Sequence, residues 1–237
     1  MFAEETHWRY CPRIMSTESS AELSANRTIL SDFPEPLSAA AIARHLRAVD
    51  LEVEAVGTTG STNADLMARA RERAFRSPVL RAAGTQTGGR GRLGRRWIDG
   101  GASLLFSLGL PWRKDPASTP EVTLACGVAA ADALHAQGIH VGLKWPNDLL
   151  LDGRKLAGIL CEMAEDPAGG RSLIIGMGVN LILPAGLRDA IEQPVAELAE
   201  RVPADRLLAE RAWWLAQFAD AMLAAARKFE RVVEDPS

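Results

Sequence analysis

The chain has 237 residues, 47% of them hydrophobic and 24% charged, with a formal net charge of −3. That length can bury one substantial core, and the mild negative balance excludes a general nucleic-acid binder, which needs an extended basic face. Cys11, Cys126 and Cys161 are far apart with no C-x-x-C pair, which argues against a disulfide framework or a cysteine zinc site, and no apolar run is long enough for a signal peptide or membrane span, so a reducing cytoplasm is the expected compartment.

Residues 1–36 are polar and Ser-rich, end in Pro34 and Pro36, and read as a flexible leader. Ser38 is a natural N-cap for a helix through Ile42, Leu46 and Val49 to about Asp50, with a strand over Leu51–Val56 behind it. One helix is too little for a winged helix-turn-helix. Gly57 to Gly60 reads as a turn, and Ser61-Thr62-Asn63 opens a helix to about Phe75, with Thr62 and Asp65 at capping spacing. Small hydroxyl and amide side chains at a helix start either cap it or hold a ligand's carbonyl or carboxylate, and both readings stay open. Val79–Thr85 is a strand that delivers Gln86 to the next loop.

That loop runs from Gly88 to Trp97 and packs four Gly and four Arg into ten residues. Glycine lets backbone approach an anion, and arginine supplies planar forks for phosphate or carboxylate. The loop reads as an anion clamp that a ligand would order; the bland alternative is a solvated basic turn. It lacks the Lys-Ser/Thr that ends a phosphate-binding P-loop.

Ala102–Leu110 is a strand leaving the loop, Pro111–Pro120 a connection, and a helix from Glu121 carries Val122, Cys126, Ala129 and Leu134 to about Gly138. Cys126 is then a core thiol, and His135 and His140 lack partners at catalytic or metal spacing. Ile139, Val141 and Leu143 alternate along a strand ending in Lys144-Trp145-Pro146-Asn147-Asp148. Leu149–Leu151 meets Asp152-Gly153, a two-residue hairpin signal, and returns as Lys155–Met163, where Ala157-Gly158 permits close backbone approach. Ser172–Val179 is a further strand ending at Asn180. One long helix from Pro203 to about Val233 presents Leu208, Ala212, Leu215, Met222, Phe229 and Val233. The class is α+β, with a mainly antiparallel sheet covered by helices.

In this order, Ser61-Thr62-Asn63, Gln86 with Gly89 to Arg95, Lys144 to Leu149, Lys155 to Leu160 and Gly176 to Asn180 resemble the catalytic core of biotin protein ligases. The likeness is clear over about 57–183 and weaker to about 230. It implies a mixed, largely antiparallel sheet with helices, similar to class II aminoacyl-tRNA synthetases and lipoate ligases. It also implies a two-step reaction: ATP and biotin give biotinyl-5'-AMP, and a lysine on the biotin carrier domain of a carboxylase then takes the biotinyl group.

By that resemblance the catalytic set is Arg92, Lys155, Lys144 and Asp148, with Asp148 either assisting the carrier lysine or anchoring the turn after Pro146. Biotin would meet Ser61, Thr62, Asn63, Gln86, Gly89, Arg90, Gly91, Arg92, Lys155 and Gly158. ATP would meet Arg90, Arg92, Arg95, Trp97, Asn147, Lys155 and Asn180, with Mg²⁺ entering on its phosphates rather than in a protein cage. The expected organisation is a leader over 1–36 and a catalytic domain over 37–237, acting as a monomer or weak homodimer without nucleic acid or membrane. Many relatives continue into a small C-terminal β-barrel for which no strands are visible, and Leu93 stands where the loop is often basic. A lipoate-type ligase and a non-catalytic biotin or nucleotide binder are the alternatives.

Overall fold

The computed structural model describes residues 37–99, 102–191 and 193–232, so the leader, Cys11 and Val233 lie outside the described residues. Seven strands form one sheet: β1 (Glu52–Thr59), β2 (Val79–Gln86), β3 (Ser103–Pro111), β4 (Gly142–Lys144), β5 (Asp148–Leu151), β6 (Arg154–Glu165) and β7 (Arg171–Asn180). Their spatial order is β1-β2-β3-β7-β6-β5-β4, with β1 and β2 parallel and every other pair antiparallel. The parallel pair needs a crossover, which α2 (Thr62–Glu72) supplies. Asp152 at φ 48° and Gly153 at φ 74° make the tight β5–β6 turn that the Asp-Gly pair predicts.

Two helices cover one face of this sheet, α3 (Thr119–His135) and the long α6 (Arg211–Val232). Leu104, Phe106 and Leu108 of β3 and Ile175, Met177 and Val179 of β7 belong to the core there, as do Cys126 and Leu134 of α3 and Phe218 and Met222 of α6. Full burial of each such side chain contributes about 1.5–3 kcal/mol. The opposite face holds a smaller cluster in which Leu66, Met67 and Ala70 of α2 meet Val79, Ala164 and Ile174.

Several boundaries differ from the sequence expectation for identifiable reasons. Helix α1 is only Ala39–Ala43, because the backbone N–H groups of Arg47 and Ala48 donate instead to the Asp220 carboxylate at 2.8 and 3.1 Å. Gly57–Thr59 extends β1 rather than turning, since Thr58 and Thr59 pair with Thr85 and Gln86. Ser61, not Thr62, caps α2 by accepting from Ala64 N–H, and Asp65 is drawn away by Thr59 Oγ1 at 2.8 Å and Arg81 Nε at 2.6 Å. Residues 139–141 are not strand. The final helix is two helices, α5 (Ala204–Ala209) and α6, separated at Glu210; α4 (Ala185–Ala190) precedes them.

Candidate active site

Strand alternation decides which face can hold a ligand. Positions of β3, β6 and β7 that face away from α3 and α6 include Ser107, Gly158, Gly176 and Gly178. Missing side chains leave a hollow. A Cβ on Gly178 would stand 2.5 Å from Trp97 Cε2, and one on Gly176 would stand 2.2 Å from Asn63 Oδ1. The space left over is a cavity of about 320 Å³ between the α2 N-terminus, the arginine loop and the 144–148 turn.

The cavity floor is a directed chain of hydrogen bonds. Thr62 N–H donates to Gln86 Oε1 at 2.7 Å. Ser107 Oγ–H donates to Asn63 Oδ1 at 2.7 Å and has no second proton, so the single Thr62 hydroxyl proton is shared between Ser107 Oγ at 2.8 Å and Gln86 Oε1 at 3.1 Å. Asn63 Nδ2 donates onward to Glu162 Oε2 at 2.9 Å and Leu160 O at 3.3 Å. These bonds fix both amides, leaving Gln86 Nε2 on the side of Gly89. Ser61, Thr62 and Asn63 are all buried, so the helix start is cap and cavity wall at once.

The arginine loop is a short hairpin with its own ladder: Trp97 N–H donates to Gly89 O at 3.0 Å and Gly91 N–H to Arg95 O at 2.8 Å. Its tip, Arg92–Gly94, turns through Leu93 at φ 56° and Gly94 at φ 74°. Gly89, Gly91 and Gly94 share the G-x-G-x-x-G spacing of dinucleotide-binding turns, but no helix follows, so that fingerprint does not apply. Arg92 Nη1 donates to Asn147 Oδ1 at 3.3 Å and Arg90 Nη2 to Glu162 Oε1 at 3.1 Å. At the hairpin's roots, Asp99 Oδ2 accepts from Gln86 N–H at 3.1 Å. Arg211 of α6 donates to Gly84 O at 3.1 Å and Ser103 O at 2.7 Å. Burial pulls the Arg211 guanidinium down to about 10 against the opposing charge of Asp99, so it stays cationic at neutral pH.

Lys155 brings the second positive charge. Its Nζ lies 3.0 Å from Asp148 Oδ1, near enough for charge pairing although not at hydrogen-bond angles, and 5.7 Å from the Trp97 ring centroid. Both side chains are less than a fifth exposed. The turn carrying Lys155 is braced from behind: Lys155 N–H donates to Pro194 O, and its carbonyl accepts from Ala196 N–H and Asn180 Nδ2. Asn147 secures its own turn through Nδ2 to Ile159 O at 3.1 Å. Asp148 is therefore held by the Lys155 ammonium.

Every residue singled out from the sequence lines this cavity except Gly89, whose missing Cβ would lie 2.6 Å from Trp97 O in the hairpin stem. Lys144 sits exposed at the mouth beside Trp145. Ser107, Glu162 and Arg211 also bind the cavity floor or the hairpin and its roots, and none of the three is among the residues singled out from the sequence. Ser107 alone carried a signal, as a polar residue in the otherwise apolar strand Leu104–Leu108. Among the described residues no group of three or more His, Cys, Asp or Glu gathers for a metal, and no helix is long and apolar enough to cross a membrane.

The profile of the Biotin/lipoate A/B protein ligase family matches residues 57–180. A biotin–acetyl-CoA-carboxylase ligase of Mycobacterium tuberculosis is 39% identical over 136 residues, 55% of this chain and 49% of that protein. The enzyme of the same name from Paracoccus denitrificans is 35% identical over 135 residues, 56% and 54% of the two chains. The matches therefore span about half the length of these relatives. Among solved structures, Aquifex aeolicus biotin protein ligase in complex with biotin and ATP superposes with a TM-score of 0.57 at 25% identity, over 76% of this chain and 72% of that one.

Proposed function

The chain belongs to the biotin/lipoate A/B protein ligase family, and from that premise we propose that it activates biotin with ATP as biotinyl-5'-AMP and transfers the biotinyl group to a lysine in the biotin carrier domain of a carboxylase. One observation carries the reading: an ammonium, Lys155, and a hairpin of guanidinium groups meet over a cavity whose floor is a fixed set of amide and hydroxyl groups. Such a floor suits a cyclic urea, which needs defined donors and acceptors in an otherwise apolar pocket.

In the first step a biotin carboxylate oxygen bonds to the α-phosphorus of ATP, and the bond to pyrophosphate breaks. Carboxylate and triphosphate repel each other, so the step needs fixed positive charge on both. Lys155 and Arg92 supply it at the reacting centre, with Arg90 and Arg95 beside them. Lys155 exchanges its Asp148 partner for the incoming carboxylate. Trp97 offers a ring beside the adenine, and Asn147 and Asn180 stand on the nucleotide side. Mg²⁺ would enter on the phosphate oxygens and water of ATP, needing few protein carboxylates.

In the second step a neutral carrier lysine attacks the acyl carbon and AMP leaves. Asp148, released from Lys155, is suited to take the amine's proton, with Lys144 at the mouth offsetting the phosphate charge. Residues 37–237 form the catalytic domain in this reading, acting in the cytoplasm as a monomer or weak homodimer without nucleic acid.

The test is pyrophosphate release with biotin or lipoate, followed by label transfer to a purified carrier domain. Release and transfer with biotin are expected. Release with lipoate alone would reassign the substrate, and binding without release would leave a non-catalytic binder.

A further inference from the structure

Glu162 lies on β6 just outside the cavity and does not line it, yet its two carboxylate oxygens serve different parts of the site. Oε2 accepts from Asn63 Nδ2 at 2.9 Å, and Oε1 accepts from Arg90 Nη2 at 3.1 Å. Asn63 belongs to the α2 start and, through Ser107, to the cavity floor. Arg90 belongs to the hairpin above the cavity. One carboxylate thus joins the floor to the lid, and we infer that Glu162 is a positioning residue that holds the arginine hairpin over the cavity before any ligand arrives.

The two halves of the arrangement are unequal. Asn63 is buried with its amide orientation fixed by Ser107, so the oxygen facing it is held in place. The Glu162 side chain is 21% exposed and that of Arg90 51%, so the bond to the hairpin is the one water can replace. The carboxylate is therefore anchored at its inner oxygen and reaches for the hairpin with its outer one. A hairpin held this way loses less freedom on ligand binding, and the ligand binds more tightly for it. Glu162 touches neither substrate in this arrangement and acts through Arg90.

Glu162→Gln separates the two roles. Its amide oxygen can still accept from Asn63, which turns its NH₂ toward the Arg90 guanidinium, where donor faces donor. The first measurement needs no substrate: limited trypsin digestion of the whole ligand-free protein, reading cleavage at Arg92, Arg95 and Arg96. Cleavage about fivefold faster in the variant is expected, and an unchanged rate would overturn the inference. If the variant is less stable overall, the same substitution in an Arg90→Gln background decides. Acting through Arg90, it should add nothing there; an undiminished increase would show a merely structural role.

The second measurement rests on the proposed activity. KM for biotin should rise about fivefold with kcat within about twofold, a split that a loss of folded protein would not produce. An equal fall of kcat with KM unchanged would also count against the inference. Wild-type protein that turned over no biotin would remove the activity assignment and leave the digestion result standing.

Discussion

The same three strands, β3, β6 and β7, build two faces with opposite characters. Toward α3 and α6 they present Leu104, Phe106, Leu108, Ile175 and Val179 to a core with almost no accessible surface. Toward α2 they present Ser107, Gly158, Gly176 and Gly178, which leave room for the Asn63 amide, the Trp97 ring and the cavity these side chains line. A period of two lets one segment do both jobs, because neighbouring residues answer to different neighbours. Stability is concentrated on one side and recognition on the other, so substitutions a single position apart should fail in different ways.

Lys155→Met attacks the recognition side with the largest effect. Turnover should fall about 10²- to 10³-fold, the scale for losing one fixed charge at a developing oxyanion, while the urea midpoint moves less than in any core variant. Steady-state pyrophosphate release beside equilibrium unfolding checks both halves. Leu108→Ala does the reverse: a loss of about 2–5 kcal/mol in unfolding free energy, with KM for biotin unchanged in the protein that remains folded. A large KM change there would mean that the two faces are not separable.

Gly178→Ala should fall between these. Its new Cβ would meet the Trp97 ring at 2.5 Å, so the ring must move at a cost of about 1–3 kcal/mol, and the nucleotide-dependent change in Trp fluorescence should weaken with it. Asp166→Asn is the mildest. Backbone N–H groups of Ala74 and Gly170 hold the Asp166 carboxyl below its ordinary 3.8 and tie the end of α2 to the β6–β7 turn. A lowered value stabilises the fold above pH 3.8, and that contribution is lost as pH falls through the folded-state value. The melting temperatures of variant and wild type should therefore differ most near neutrality and converge in acid.

What the sequence made legible was local. The Asp152-Gly153 turn, Gly158 of β6 with Gly176 and Gly178 of β7, and the arginine-glycine loop each announce themselves within a few residues, because turn geometry and side-chain absence are short-range properties. What it hid was set by distant partners. Asp65 looks like part of a cap until Arg81 of the neighbouring strand claims it. The predicted helix after Ser38 stops early because Asp220, far along the chain, takes the backbone donors of Arg47 and Ala48. Glu162 looks like one more polar strand position, since its partners Asn63 and Arg90 lie 99 and 72 residues away.

Arg211 gives the fold an order in time. Its guanidinium reaches from α6 to the carbonyls of Gly84 and Ser103, the two roots of the arginine hairpin. A chain emerging from the ribosome exposes those roots long before it delivers the residue that pins them. The base of the hairpin is thus set only when a side chain 108 to 127 positions further along the chain has docked.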